Sequence, residues 1–389
     1  MSALRPRASR ISGLLATTAL LSTALLSATP AGAVPGPEAA TGTHPAVLRL
    51  DLGDEANSRA CTGTLVDRFW VLTAASCFAA TPGTTVPAGK PALKTTATLS
   101  DGKRIEVIEV APRADRDAAL VRLATPVTTI TPARLSTTVS AAAASADGTE
   151  LTAVGFGRTK TEWVPDKPHT GTFTIDPAAT TATNLAVTGK NGGAICKGDA
   201  GGPLLNADGA IVGINSRSWQ GGCLGTPATE TRTGALSVRT DPLAGWLQEV
   251  RLTTASLQNS LSNRCAYVSW RTPENNAPAQ QVDCDPQYAD QVWKFERVEG
   301  GYQIRNRQTD RCLVVSWRTP QDGAPVTQYD CHPEFGDQVW RLDPVAGGYS
   351  LRNSVTDKCM YVSWTTPEWG APLLQVGCDP QYADQVWKI

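Results

Sequence analysis

Hydrophobic and polar positions divide the chain into four stretches. Residues 11–26 are apolar with Ser and Thr interruptions, and they follow Arg5, Arg7 and Arg10. Ala31-Gly32-Ala33 then presents small residues at the spacing that signal peptidase accepts, so residues 1–33 read as a secretory signal cut before Val34. A membrane anchor is the alternative. It is disfavoured because the segment is short, polar-flecked and ends in Thr29-Pro30. From residue 34 to about residue 240 the pattern is many short β-like runs. Residues 242–250 then read as a terminal helix. The remainder has short alternating pieces such as Tyr302-Gln303-Ile304 and Leu313-Val314-Val315, broken by Thr-Pro, Ala-Pro and Asp-Pro, which predicts strands and turns. No apolar run after residue 40 approaches the ~20 residues needed to cross a bilayer.

The last stretch is a repeat. Cys265, Cys312 and Cys359 are evenly spaced, as are Cys284, Cys331 and Cys378, and Trp293, Trp340 and Trp387. The copies read CAYVSWRTPENNAPAQQVDCDPQYADQVW, CLVVSWRTPQDGAPVTQYDCHPEFGDQVW and CMYVSWTTPEWGAPLLQVGCDPQYADQVW. One unit cannot bury its apolar face alone, whereas three together can. Aromatic residues are unevenly placed: all 7 Tyr, and seven of the 11 Trp, lie after residue 250. That shift marks a boundary, and the organisation expected is a signal at 1–33, one domain at 34–250, a linker at 251–255 and a second domain at 256–389.

Composition narrows the function. With 389 residues, more than one domain is expected. A net charge of -1 gives no electrostatic case for nucleic acid as a partner. The 10 Cys are an even number, and long-lived pairing implies an oxidising compartment, so the protein is expected to be secreted. Metal-ligand clusters, phosphate loops and nucleotide fingerprints are not visible, and no cofactor or metal is expected.

The repeats resemble the ricin-B-type lectins, which are β-trefoils with a Cys pair and a Q-x-W signature in each repeat. Here the signatures are Gln291-Val292-Trp293, Gln338-Val339-Trp340 and Gln385-Val386-Trp387. The resemblance implies that these Trp pack in the core, and that the disulfides are Cys265–Cys284, Cys312–Cys331 and Cys359–Cys378. Each would stabilise by roughly 3 kcal/mol on the chain-entropy account. In that family an Asp two residues after the first Cys forks vicinal hydroxyls, and an aromatic two residues before the second Cys stacks on the sugar. Here those positions hold Tyr267, Val314 and Tyr361, and Val282, Tyr329 and Val376. The family's amide before the Q-x-W Gln is replaced by Asp290, Asp337 and Asp384. The usual galactose site is therefore absent. Each repeat nonetheless has its own polar and aromatic set: Trp270, Tyr288 and Asp290; Trp317, Phe335 and Asp337; Trp364, Tyr382 and Asp384. If exposed, these form three equivalent glycan sites that gain from multivalency on a polymer. The alternative is that they pack beneath the turns.

Residues 61–77 (CTGTLVDRFWVLTAASC), 115–127 (DRDAALVRLATPV) and 196–205 (CKGDAGGPLL), with Val154-Gly155-Phe156-Gly157, resemble the chymotrypsin/trypsin family of serine proteases. The resemblance implies a double six-stranded β-barrel, so the fold class expected is all-β, a trypsin-like double barrel followed by a three-repeat trefoil. It also implies disulfides Cys61–Cys77 and Cys196–Cys223. The family's histidine base falls on Ser76, its nucleophile on Ala200 and its aspartate on Asp117. Ala200 has no hydroxyl, and serine cannot shuttle a proton near pH 7. None of His44, His169 and His332 lies in a triad motif. The oxyanion donors would be the N–H groups of Gly198 and Ala200, which need no side chain. The floor of the specificity pocket falls on Ala194, where a trypsin-like pocket has Asp. Val34 would be the amine that reaches Asp199, although Pro35 and Pro37 oppose its insertion.

These readings predict a secreted, non-catalytic protease homologue. Its cleft would engage peptide or protein, and its trefoil would tether to glycan or cell-wall polysaccharide. The alternatives are a serine-type hydrolase with residual or unconventional activity, and a structural adhesin with both sites eroded.

Overall fold

Side-chain alternation in the first half closes two barrels. The computed structural model describes residues 37–40, 42–54, 58–136, 150–316 and 318–389; the expected signal, Val34 and Trp317 lie outside them. Strands β1 (Val47–Leu52), β2 (Arg59–Leu65), β3 (Trp70–Thr73), β4 (Thr95–Thr98), β5 (Arg104–Pro112) and β6 (Ala119–Leu123) close in the order β1-β2-β3-β6-β5-β4. Strands β7 (Glu150–Gly155), β8 (His169–Asp176), β9 (Asn184–Gly189), β10 (Pro203–Leu205), β11 (Ile211–Ser218) and β12 (Gly234–Arg239) close in the order β10-β11-β12-β9-β8-β7.

Strand β6 shows why a wholly buried strand needs two environments. Ala119, Val121 and Leu123 fill the first barrel with Leu48, Leu50 and Ile105. The alternate residue Leu120 points out and joins Leu72, Val154, Phe156, Ile214 and Val238 in a cluster between the barrels. Its neighbour Arg122 is 1% exposed and lies against the C-terminal part of the chain. The second barrel encloses Leu151, Phe173, Leu185, Val187, Leu204 and Val212. One buried residue, Thr62 of β2, ties the barrels together. Its hydroxyl donates to the Gly198 carbonyl (2.8 Å) and accepts the Phe156 N–H (3.0 Å), while its own N–H donates to the Ala200 carbonyl (2.9 Å).

Helix α1 spans Ala244–Thr253, and Trp246, Leu247 and Val250 pack on the inter-barrel cluster. It starts two residues later and ends three residues later than the sequence suggests, so residues 251–253 of the expected linker are helical. The reason is local. No Gly or Pro follows Val250 to stop the helix, and Leu252 is buried in the next core. Ala255 then bridges to Trp293.

Twelve strands form the C-terminal sheet. Three of its hairpins are homologous: β13 (Cys265–Val268) with β14 (Ala279–Val282), β15 (Cys312–Val314) with β16 (Thr327–Tyr329), and β17 (Lys358–Val362) with β18 (Leu373–Gly377). Bridges Pro278–Thr327, Gln280–Pro372 and Pro325–Leu374 draw the three together. Trp293, Trp340 and Trp387 are fully buried, as their place in Q-x-W implies. Their indole N–H groups donate to the carbonyls of Ala266 (2.9 Å), Leu313 (3.0 Å) and Met360 (2.9 Å), which removes the cost of burying a donor. All five expected disulfides are formed.

Arginines join the barrels to the trefoil. Arg68 donates to the Gln258 side chain and to the Lys388 carbonyl (3.0 Å). Arg122 donates to the Ser256 hydroxyl (3.2 Å), and Arg251 pairs with Asp67 (3.0 Å) while donating to the Ile389 carbonyl (2.7 Å). Burial pulls the Arg68 and Arg122 guanidinium pKa values down to about 10, so both stay charged at neutral pH.

Candidate functional site

The cleft between the barrels is assembled from four short segments. A single 3-10 turn, Ala75–Phe78, follows β3 and carries Ser76. Asp117 precedes β6, Ala200 precedes β10, and Ser216 lies near the end of β11. The structure brings Ser76 and Asp117 together. Asp117 Oδ1 accepts the Ser76 backbone N–H (2.7 Å), and Oδ2 accepts the Ser76 hydroxyl (2.9 Å) and the Ser216 hydroxyl (2.6 Å). The carboxylate thus has three donors, and all come from serine residues. The chain's three histidines sit elsewhere. His44 lines a cavity of about 290 Å³ with Arg49 and Asp166. His169 opens β8, 3.9 Å from Glu162, and His332 stacks on Phe335 at 4.6 Å. Ser216 escaped the sequence reading because a lone Ser in Asn215-Ser216-Arg217 has no distinguishing spacing.

Ala200 is half-buried and packs against the first barrel's core. Among the described residues, neither the Gly198 N–H nor the Ala200 N–H has a hydrogen-bond partner, so both can still donate to a carbonyl oxygen. Gly198 has φ +102°, and a Cβ there would sit 2.8 Å from the Gly157 Cα, so only glycine fits.

Asp199 between them points inward. Its carboxylate accepts N–H groups from Gly157 (2.7 Å) and Cys196 (2.8 Å). Burial outweighs those bonds and pushes its pKa up to about 6. Among the described residues no ammonium or guanidinium pairs with it. The close approach requires glycine at 157, since a Cβ there would overlap the Asp199 carboxylate. Ala194 is buried in a small cluster with the Cys196–Cys223 disulfide. Beside it the Ser218 hydroxyl donates to the Ile195 carbonyl and links the segment after Ala194 to β11.

The trefoil separates its candidate residues by environment. Trp270 is 60% exposed and Trp364 72% exposed, and Tyr288, Phe335 and Tyr382 are exposed as well. Trp369, which the sequence reading passed over, is also exposed; a second Trp within the third repeat was its only signal. Asp290 and Asp384 each bury an Oδ1 atom that has no hydrogen-bond partner, and burial raises both carboxyl pKa values. Tyr267 lies beside Asp290, with its hydroxyl on Gln280 (3.0 Å), and Tyr361 lies beside Asp384. Asp337 instead lines an open cavity of about 610 Å³ in repeat two, with Val314, Tyr329 and Phe335.

Comparison with known proteins gives two family matches. Residues 33–237 match the family described as Trypsin, and residues 253–387 match the ricin-type beta-trefoil lectin domain. The chain is 29% identical to human (Homo sapiens) "Serine protease 56" over 274 residues, covering 62% of this chain and 42% of the relative. It thus spans about two fifths of that relative's length. Among solved structures, mouse neuropsin, a serine protease, is similar at 20% identity and TM-score 0.42, covering 55% of this chain and 98% of that one. A designed three-fold symmetric protein, ThreeFoil, is similar at 23% identity and TM-score 0.33, covering 35% and 96%.

Proposed function

Since the chain belongs to the trypsin family and carries a ricin-type β-trefoil lectin domain, we propose that it is a secreted protease homologue that binds peptide without cutting it and attaches to carbohydrate through its trefoil. The observation that carries the reading is the donor set of Asp117. Acyl transfer needs a nucleophile, and a base that takes its proton and later delivers it to the leaving amine. Asp117 holds the two hydroxyls of Ser76 and Ser216, neither of which can act as that base near pH 7. Ala200 offers only a methyl group.

What remains in the cleft suits binding. The unengaged N–H groups of Gly198 and Ala200 can donate to a peptide carbonyl oxygen, because backbone donors survive the loss of side chains. Ala194 gives no carboxylate to attract Lys or Arg. Five disulfides support an oxidising, extracellular location.

The reading is tested with the purified full-length protein. A fluorophosphonate probe is expected to leave it unlabelled, and a broad chromogenic peptide panel is expected to show no turnover. Labelling of any serine overturns the non-catalytic part. A glycan array and pull-down on insoluble polysaccharides test the trefoil, and silence on both removes the carbohydrate part.

A further inference from the structure

Three repeats built on one pattern allow each to serve as a control for the others. Across the stretch from first Cys to Q-x-W Trp, repeat one departs from a residue that the other two share at a single position, Asn276. Repeat three does so at two, Thr365 and Gly377. Repeat two does so at seven. Drift without consequence would scatter those seven over the surface. Instead five of them, Val314, Tyr329, Glu334, Phe335 and Gly336, line the same cavity of about 610 Å³. A sixth, His332, stacks on Phe335 and lies 3.3 Å from Glu334. The one departure of repeat one, Asn276, reaches the same cavity from the neighbouring hairpin. It does so at φ +69°, where the other repeats use Gly323 and Gly370, a backbone state that costs a non-glycine residue free energy.

Position 314 shapes one wall of the cavity. In repeats one and three a tyrosine occupies the equivalent place, and Tyr267 reaches across to Gln280 and Asp290. Valine lacks that ring, and Val314, Phe335 and Val355 give the cavity an apolar lining that it shares with Asn276 and Tyr329. The wall stands where the lectin family places a carboxylate for vicinal hydroxyls.

We infer that repeat two holds the trefoil's specialised ligand site, and that this site takes a methyl-bearing saccharide, an N-acetylhexosamine or a 6-deoxyhexose, whose methyl group rests on Val314 and Val355. The inference rests on the carbohydrate reading above and replaces three equivalent sites with one. Two matched pairs of sugars isolate the methyl group. Triacetylchitotriose and cellotriose differ in acetamido against hydroxyl. Methyl fucoside and methyl galactoside of the same configuration differ in methyl against hydroxymethyl.

Isothermal titration of the full chain against all four is expected to give one site per chain. Within one pair the methyl-bearing member should bind about tenfold to a hundredfold more tightly, the scale of one apolar group in a fitted pocket. Which pair shows the difference identifies the source of the methyl. Val314→Tyr restores the residue of the sister repeats, so the fold tolerates it, and it should abolish binding. Asn276→Gly should weaken it, and Trp364→Ala should leave it unchanged. Binding that survives Val314→Tyr, or that is lost in Trp364→Ala, overturns the location while leaving the lectin reading in place. Equal affinity within both pairs overturns the ligand class. Absence of binding to these sugars, to a glycan array and to insoluble polysaccharide defeats the inference and the lectin reading together.

Discussion

Rebuilding the missing chemistry is the sharpest test of the cleft. The perturbation is Ser76→His with Ala200→Ser. Asp117 already carries its carboxylate toward position 76, where it accepts the backbone N–H at 2.7 Å and the hydroxyl at 2.9 Å. An imidazole at 76 would inherit that acceptor, and Ser216 at 2.6 Å would keep the carboxylate in place. The Gly198 and Ala200 N–H groups are unengaged among the described residues, so the oxyanion position needs no repair. In subtilisin, removal of the triad costs about 2 × 10⁶ in kcat, or about 8–9 kcal/mol of barrier. That sets the upper limit of the gain. The parts act as a unit, so each single variant should stay near the background, and only the double variant should climb by several orders of magnitude. The assay is labelling by a fluorophosphonate, followed by turnover of uncharged ester substrates, because Ala194 offers no carboxylate to attract Lys or Arg. A folded double variant that remains unlabelled would refute the claim that the scaffold is intact. Labelling of the unaltered protein would refute the claim that the two side chains are the deficit.

Other outcomes follow from single features. Asp199 has its pKa raised to about 6 by burial, against about 3.9 in an unfolded chain, so the folded state binds the extra proton between those values. Its contribution to stability is fully present below about pH 4 and lost as pH rises through about 6, by about 3 kcal/mol; Asp199→Asn should flatten that slope in urea titrations across the range. Gly157→Ala drives a Cβ into the Asp199 carboxylate and should lower stability by about 2 kcal/mol or more, with the 198–202 segment losing hydrogen-exchange protection first. Arg68→Ala leaves the Lys388 carbonyl without that donor, at about 1–3 kcal/mol for a buried acceptor, and calorimetry should resolve separate barrel and trefoil transitions where the unaltered chain shows one.

Much of the architecture is legible in sequence because it depends on short-range chemistry. Paired Cys and a Q-x-W signature recur in each repeat, so the resemblance to ricin-type lectins was enough to place Trp293, Trp340 and Trp387 in a core, where they lie. The resemblance to the trypsin family likewise assigned Ser76 and Asp117 to triad positions, whereas the bonds between them are seen only in the fold. Other features were not. Thr62 is an ordinary strand residue until the fold lays the 198–200 segment against it. Ser216 gains meaning only from the carboxylate opposite. The helix outran its expected end because tertiary burial of Leu252 decides where it stops. The departures of repeat two are visible in the string of letters, yet their convergence on one cavity requires the hairpins to be folded against each other.

The bonds of Thr62 have a consequence for how such a molecule changes over generations. The spacing of the two barrels is held by a threonine hydroxyl and main-chain groups of Phe156, Gly198 and Ala200, and the Ala200 contribution is its carbonyl. Replacement of side chains at 76 or 200 therefore breaks none of these bonds. A fold fastened in this way places no demand on the side chains at those two positions, so reactive groups there can be exchanged without unsettling the barrels.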